Sequence, residues 1–232
     1  CASFIGNGLT NYASANFSSI SGGRCNTSSG CLSFIGGGFG NTSSALCAFV
    51  GAGLTNTASG TRSFVGGGEN NLSSGTQSIV LGGNSNRACG YNSIVVGGSC
   101  NVSSAHSSFV GGGYCNVVSG SCSSIAGGST NSVTACNSFI GGGSSNIVSG
   151  VWSTIGAGRN NSIYGRYSAI GGGYCNKSLG DRGVISGGVF NTTNSYYSSV
   201  LGGNGNTASG FYSTIGGGQV NTSSGTYSFV GG

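Results

Sequence analysis

Proline and methionine are absent from this 232-residue chain, and only seven basic and two acidic residues carry charge. Without proline, and with glycine in clusters such as Gly36-Gly37-Gly38 rather than at every third position, a collagen helix is excluded. No apolar run approaches the ~20 residues a membrane-spanning helix needs. Clustered glycine beside Ser, Thr, Val, Ile and Asn gives poor helix propensity, and no stretch shows a 3.6-residue period. The two acids, Glu69 and Asp181, stand far apart in the chain, so no carboxylate pair is available for acid–base work. His106 has no acid near it in sequence. Calcium-binding rolls need an acid in each repeat, and Cys-x-x-Cys spacing for zinc is missing. Gly51-Ala52-Gly53 has the glycines of a phosphate loop but no helix to follow it. The expectation is therefore a chain that is not an enzyme and holds no cofactor or metal.

What is present is a strict 15-residue period. Fifty-one glycines without a period would point to disorder, and here the period reverses that reading. Asparagine recurs at Asn11, Asn26, Asn41, Asn56, Asn71, Asn86, Asn101, Asn116, Asn131, Asn146, Asn161, Asn176, Asn191, Asn206 and Asn221. An aliphatic residue recurs at Ile5, Ile20, Ile35, Val50, Val65, Val80, Val95, Val110, Ile125, Ile140, Ile155, Ile170, Ile185, Val200, Ile215 and Val230. A globular core asks for something different at each position, whereas stacked identical coils ask for the same thing every turn.

With the unit begun at Ser3 as position 1, the consensus is Ser-x-Ile/Val-Gly-Gly-Gly-x-x-Asn-x-x-Ser-Gly-x-x. Each unit holds two short extended runs, such as Ser33–Ile35 and Asn41–Ser44, and the glycine cluster and the Gly-x-x end supply the turns. The fold class read from this is all-β: a parallel β-solenoid, or β-roll, with one repeat per coil. Sixteen coils at the ~4.8 Å strand spacing predict a rod of roughly 75 Å. The Ile/Val column is the inward spine and the Asn column an internal amide ladder. The ladder also accounts for asparagines that happen to form glycosylation sequons, Asn26-Thr27-Ser28 and Asn101-Val102-Ser103. The ends fall inside repeats and carry no polar caps. Residues 1–232 thus read as one uncapped segment of about 15.5 repeats from a longer chain, with any membrane anchor outside it.

Strand alternation turns position 2 away from the spine. It holds Phe4, Phe34, Phe49, Phe64, Phe109, Phe139 and Phe229, an apolar stripe too long for a soluble monomer to leave bare. The expectation is a seam between chains. The alternative is a flattened roll that packs the rings within one chain.

The motif from Ser63-Phe64-Val65-Gly66-Gly67-Gly68 through Asn71 to Ser74-Gly75 resembles the head repeats of YadA-type trimeric autotransporter adhesins, and is similar to fibre repeats of phages and large viruses. The resemblance spans the whole chain. It implies a left-handed parallel β-roll, three rolls packed about an axis, and an adhesive shaft or head at a cell or virion surface. The present unit is one residue longer than is usual in that family, and its ten cysteines favour a viral fibre or another extracellular filament over an autotransporter.

Cys100 and Cys115 share one position on adjacent coils, within disulfide reach; Cys31 with Cys47 and Cys122 with Cys136 sit in neighbouring turn positions. These are candidate staples, and Cys25 and Cys175 are candidates for bridges between chains. Four of the basic residues, Arg159, Arg166, Lys177 and Arg182, fall in one stretch and serve solubility or meet an acidic glycan; nucleic-acid binding is not expected from so weak a basic footprint. Trp152, Tyr167, Tyr196, Tyr197, Tyr212 and Tyr227 gather in turns of the same region, to stack on sugars or to pack between chains. The expected partners are further copies of the chain, as a homotrimer, and a glycan or host-surface receptor. A self-assembling extracellular filament is the alternative. An ice-binding solenoid ranks lower, because position 10 reads Tyr12, Thr27, Thr42, Thr57, Leu72, Arg87 rather than a rank of threonine.

Overall fold

The computed structural model describes residues 2–232. It is a parallel β-solenoid of 15-residue coils without a helix among those residues. The chain divides into two compact units, Cys1–Val117 and Val118–Gly232. In both, every coil contributes two strands of two residues. The first, at positions 2 and 3, is exemplified by Phe34–Ile35, and the second, at positions 10 and 11, by Thr42–Ser43. Each pairs with its equivalent 15 residues on: Ile35 with Val50 and Ser43 with Ala58 in the first unit, Ile140 with Ile155 and Val148 with Ile163 in the second. Single bridges at position 7, such as Phe39 with Leu54 and Arg159 with Tyr174, add a third ladder. The strict sequence period is thus a pairing register, since one inserted residue would rotate every following side chain to the other face.

Corners between the strands use left-handed backbone. Position 6 is always glycine: Gly38 has φ +91, and a Cβ there would collide with the carbonyl oxygen of Gly53 and stand 2.7 Å from the Asn41 amide nitrogen. Positions 8 and 15 are left-handed as well, and here the residues are mostly not glycine: Cys25, Asn70 and Cys115 at one, Leu32, Arg62, Trp152 and Tyr212 at the other, all with φ between 51 and 59. The turn expected at Gly-x-x therefore puts its left-handed residue two places after the glycine. Each such residue costs about 1–2 kcal/mol. Its N–H donates to the preceding coil, as Cys25 does to the Leu9 carbonyl (3.0 Å) and Arg62 to the Leu46 carbonyl (2.8 Å), and these bonds hold the strained corner in place.

The spine residues from Ile20 to Ile215 are buried; Ile5 is 43 % exposed and Val230 partly buried. The Asn column works chiefly through the backbone. Asn41 Nδ2 donates to the carbonyls of Gly37 and Gly53 (both 2.9 Å), while its Oδ1 accepts the Asn56 N–H (2.9 Å). Amide-to-amide contacts occur at some steps, for instance Asn161 Nδ2 to Asn146 Oδ1 (3.1 Å). One side chain thereby satisfies a donor and two acceptors that the glycine corner would leave buried and unpaired.

The other half of the core, position 11, differs between the units. In the first it is Ala13, Ser28, Ser43, Ala58, Ser73, Ala88 and Ser103; the second opens with Val118, Val133, Val148 and Ile163. Where position 11 and the position 1 residue five places on are both serine, their hydroxyls meet, as in Ser28–Ser33 and Ser73–Ser78 (2.6 Å each). Where position 11 is Val or Ile, the serines turn along the stack. Ser138 N–H donates to Ser123 Oγ (3.0 Å), Ser153 N–H to Ser138 Oγ (3.2 Å), and Ser168 N–H to Ser153 Oγ (3.0 Å). Four buried hydroxyls, Ser43, Ser63, Ser93 and Ser213, have no partner. In each case the residue that would complete the pair is alanine: Ala48, Ala58, Ala88 and Ala208.

Candidate functional surfaces

Side chains with chemistry stand outside this core, at positions 2, 7, 8, 10, 14 and 15. In the first unit, position 2 forms an apolar file through six consecutive coils: Phe34, Phe49, Phe64, Ile79, Ile94 and Phe109. Phe34 and Phe49 stack at 5.0 Å between centroids, as do Phe49 and Phe64. Every position 2 phenylalanine is followed two residues later by glycine, and the rings of Phe34, Phe64 and Phe139 lie over Gly36, Gly66 and Gly141. Where the file changes to Ile79 and Ile94, the glycine becomes Leu81 and Val96, both exposed. The rings thus lean on their own chain, and Phe34, Phe49 and Phe64 are half-buried, while Phe4 and Phe229 are largely exposed. In the second unit the file is broken, and Phe139 stands among Ser124, Thr154 and Ala169.

The second unit concentrates its aromatics at the left-handed corner instead. Tyr167, Arg182, Tyr197, Tyr212 and Tyr227 occupy position 15 of successive coils with φ of 56 or 57, so their side chains leave the backbone in the same direction. Tyr197 and Tyr212 stack at 4.6 Å and 7°, Tyr212 and Tyr227 at 5.1 Å and 9°. The Arg182 guanidinium sits 5.4 Å from the Tyr167 centroid, 5.0 Å from Tyr197 and 5.5 Å from Tyr196. At position 14, Asp181 accepts the backbone N–H of Arg166 (2.8 Å) and pairs with its guanidinium (Nη2–Oδ2 2.9 Å). The backbone N–H first, then the guanidinium, holds the Asp181 carboxyl below the ordinary carboxylate range, and Asp181 in turn raises Arg166. Desolvation among the stacked rings, with Tyr197 and Tyr227 beside it, pushes the Tyr212 phenol up.

The four basic residues grouped by sequence do not form one patch of free charge. Arg159 lies 5.9 Å over Tyr174, Lys177 5.6 Å over Tyr164, Arg166 is paired to Asp181, and Arg182 stands within the tyrosine file. Sugar stacking needs free ring faces, and those of Tyr197 and Tyr212 are turned to each other. What the sequence does not reveal is this column of planar groups, because position 15 carries no consensus residue. Its signal is the set Tyr167, Arg182, Tyr197, Tyr212, Tyr227 at one 15-residue interval.

The nine described cysteines have free thiols. Cys31 and Cys47 are joined through the backbone, Cys47 N–H to the Cys31 carbonyl (2.9 Å). Cys25, Cys47, Cys100, Cys115, Cys122 and Cys175 occupy left-handed corners, and the adjacent Cys115 thiol pushes the Tyr114 phenol's pKa up. His106 stacks on Tyr91 at 5.2 Å, and Glu69 accepts from Asn84 (3.2 Å). A surface groove of about 270 Å³ is lined by Thr55, Thr57, Asn70, Leu72, Ser85 and Arg87, with no acid among them. No cluster of three metal-ligating side chains occurs among the described residues, and no helix is long and apolar enough to cross a membrane. Compared with known proteins, the chain matches no family model and no curated sequence.

Proposed function

We propose that this chain is a structural segment, shaft or head, of an extracellular attachment fibre at a cell or virion surface, assembling as a homotrimer. The observation that carries the reading is the apolar file from Phe34 to Phe109, which faces away from the spine and whose first three rings stack and are half-buried. A file of six apolar side chains on consecutive coils of a nearly uncharged molecule is stabilised by contact with a like surface. The resemblance to trimeric adhesin head repeats supplies the number three. The role is structural rather than catalytic: the Asp181 carboxylate is held by Arg166, the Glu69 carboxylate accepts from the Asn84 amide, and the His106 ring stacks on Tyr91. Regular coils fixed by the Asn ladder act as a stiff spacer, and variable corner side chains make the contacts. The test is the native mass by sedimentation equilibrium, with and without reductant. Three times the 22.4 kDa chain mass in both conditions is expected; one chain mass in both overturns the seam, and long fibres in place of discrete trimers make the chain a filament subunit instead.

A further inference from the structure

We propose that the position 15 corner of the second unit binds an acidic polysaccharide, with Arg182 taking a carboxylate or sulfate group of the polymer. Arg182 is a rung in a file of planar groups, clamped between Tyr167 and Tyr197. With Tyr196 also 5.5 Å away, three rings surround the guanidinium, and the residue remains exposed to solvent. The nearest acid in sequence, Asp181, is already engaged by the Arg166 backbone and guanidinium, and Arg182 has no ion-pair or hydrogen-bond partner for its side chain among the described residues. A guanidinium fixed in one orientation with a free fork is suited to bidentate capture of an oxoanion, and little side-chain entropy is left to lose on binding.

The rest of the file decides the kind of anion. With Tyr197, Tyr212 and Tyr227 stacked on one another, centroids 4.6 and 5.1 Å apart, the faces between them are covered while all three side chains stay exposed at the surface. Such a row repeats at an interval close to the length of one sugar unit in an extended chain. It suits a polymer lying along the corner, held by its hydroxyls and fixed by its charge at Arg182. An isolated phosphate or sulfate would use the guanidinium alone.

Arg62 is an internal control. It occupies the same position in the first unit with the same backbone (φ 56), but its column neighbours are Cys47 and Gln77, so nothing clamps it. The biological setting rests on the proposed extracellular role, yet the two fail separately, because chain mass tests one and polymer binding the other. The experiment is calorimetric titration of the full chain with a polyuronate, a sulfated polygalactan and neutral dextran. Binding of at least one acidic polymer is expected, weakened about tenfold by Arg182→Gln and by Arg182→Tyr, the latter keeping a planar rung, and unchanged by Arg62→Gln. Which polymer responds to the Arg182 variants assigns carboxylate or sulfate. The proposal is overturned if neither acidic polymer binds, if dextran binds as well, or if Arg62→Gln weakens binding as much as the Arg182 variants.

Discussion

The two units have the same coil backbone and the same kind of Asn ladder but place their large side chains differently. The first keeps position 11 small, with Ser28, Ser43, Ala58, Ser73, Ala88 and Ser103, and carries its bulk outside as the Phe34–Phe109 file. The opening coils of the second fill position 11 with Val118, Val133, Val148 and Ile163 and hold Ser124, Phe139, Thr154 and Ala169 at the outer position 2, before position 11 returns to Ser178, Thr193, Ala208 and Ser223. A coil of fixed size offers two places to remove apolar surface from water, the interior and a contact face. In the proposed trimer the first unit would take its second place against a neighbouring chain, while the opening coils of the second bury Val118, Val133, Val148 and Ile163 within the chain. The proposed roles follow the same division: assembly in the first unit, contact with a ligand at the Tyr–Arg corner of the second.

The largest expected effect falls on what the units share. Asn101→Asp and Asn161→Asp each replace a donating amide by a carboxylate facing two glycine or alanine carbonyls, and each should cost about 3 kcal/mol or more. Denaturant unfolding read together with local hydrogen exchange checks this. A loss confined to one unit would show that the ladder does not do the same work in both. Next comes the interior difference. Val148→Ala should cost about 2 kcal/mol, whereas Ser73→Ala in the first unit should cost about 1 kcal/mol, through the bond lost to Ser78. Equal losses would remove the distinction between an aliphatic and a hydroxyl-lined core. Smaller and of opposite sign, Ala48→Ser should stabilise by up to about 1 kcal/mol, since it supplies the partner that Ser43 lacks. The smallest effect is electrostatic. Asp181 has a lowered folded-state pKa, so its contribution is present above the unfolded value near 4 and is lost as pH falls through the folded one. Asp181→Asn should lower the melting temperature slightly at neutral pH and flatten that acid limb, so that variant and unaltered chain converge at the lowest pH in a pH series of melting temperatures.

The sequence made the coil length, both strands and the inward Ile/Val column legible, because each repeats with one residue type. The Ile79–Leu81 and Ile94–Val96 exchanges for Phe–Gly were also in view, but their meaning needs the ring to be seen lying over the glycine. The left-handed corners were not legible. Position 15 holds Leu32, Cys47, Arg62, Trp152 and Tyr212 alike, since the corner is fixed by bonds from its backbone N–H and leaves the side chain free to vary. That freedom hid the Tyr–Arg file, whose residues are ordinary singly and distinctive only as a column. Proximity in sequence likewise grouped Arg159, Arg166, Lys177 and Arg182, which the coil distributes over different positions and partners.

The most direct test of the division between the units is the sedimentation mass of two paired variants beside the unaltered chain. Phe49→Thr with Phe64→Thr places β-branched residues, which suit a strand, but interrupts the apolar file, and Tyr197→Ser with Tyr212→Ser interrupts the corner. A trimer is expected for the unaltered chain and for the tyrosine variant, and a monomer for the phenylalanine variant. A trimer that survives loss of both phenylalanines, or one that dissociates when the tyrosines are removed, would contradict a seam built on the phenylalanine file.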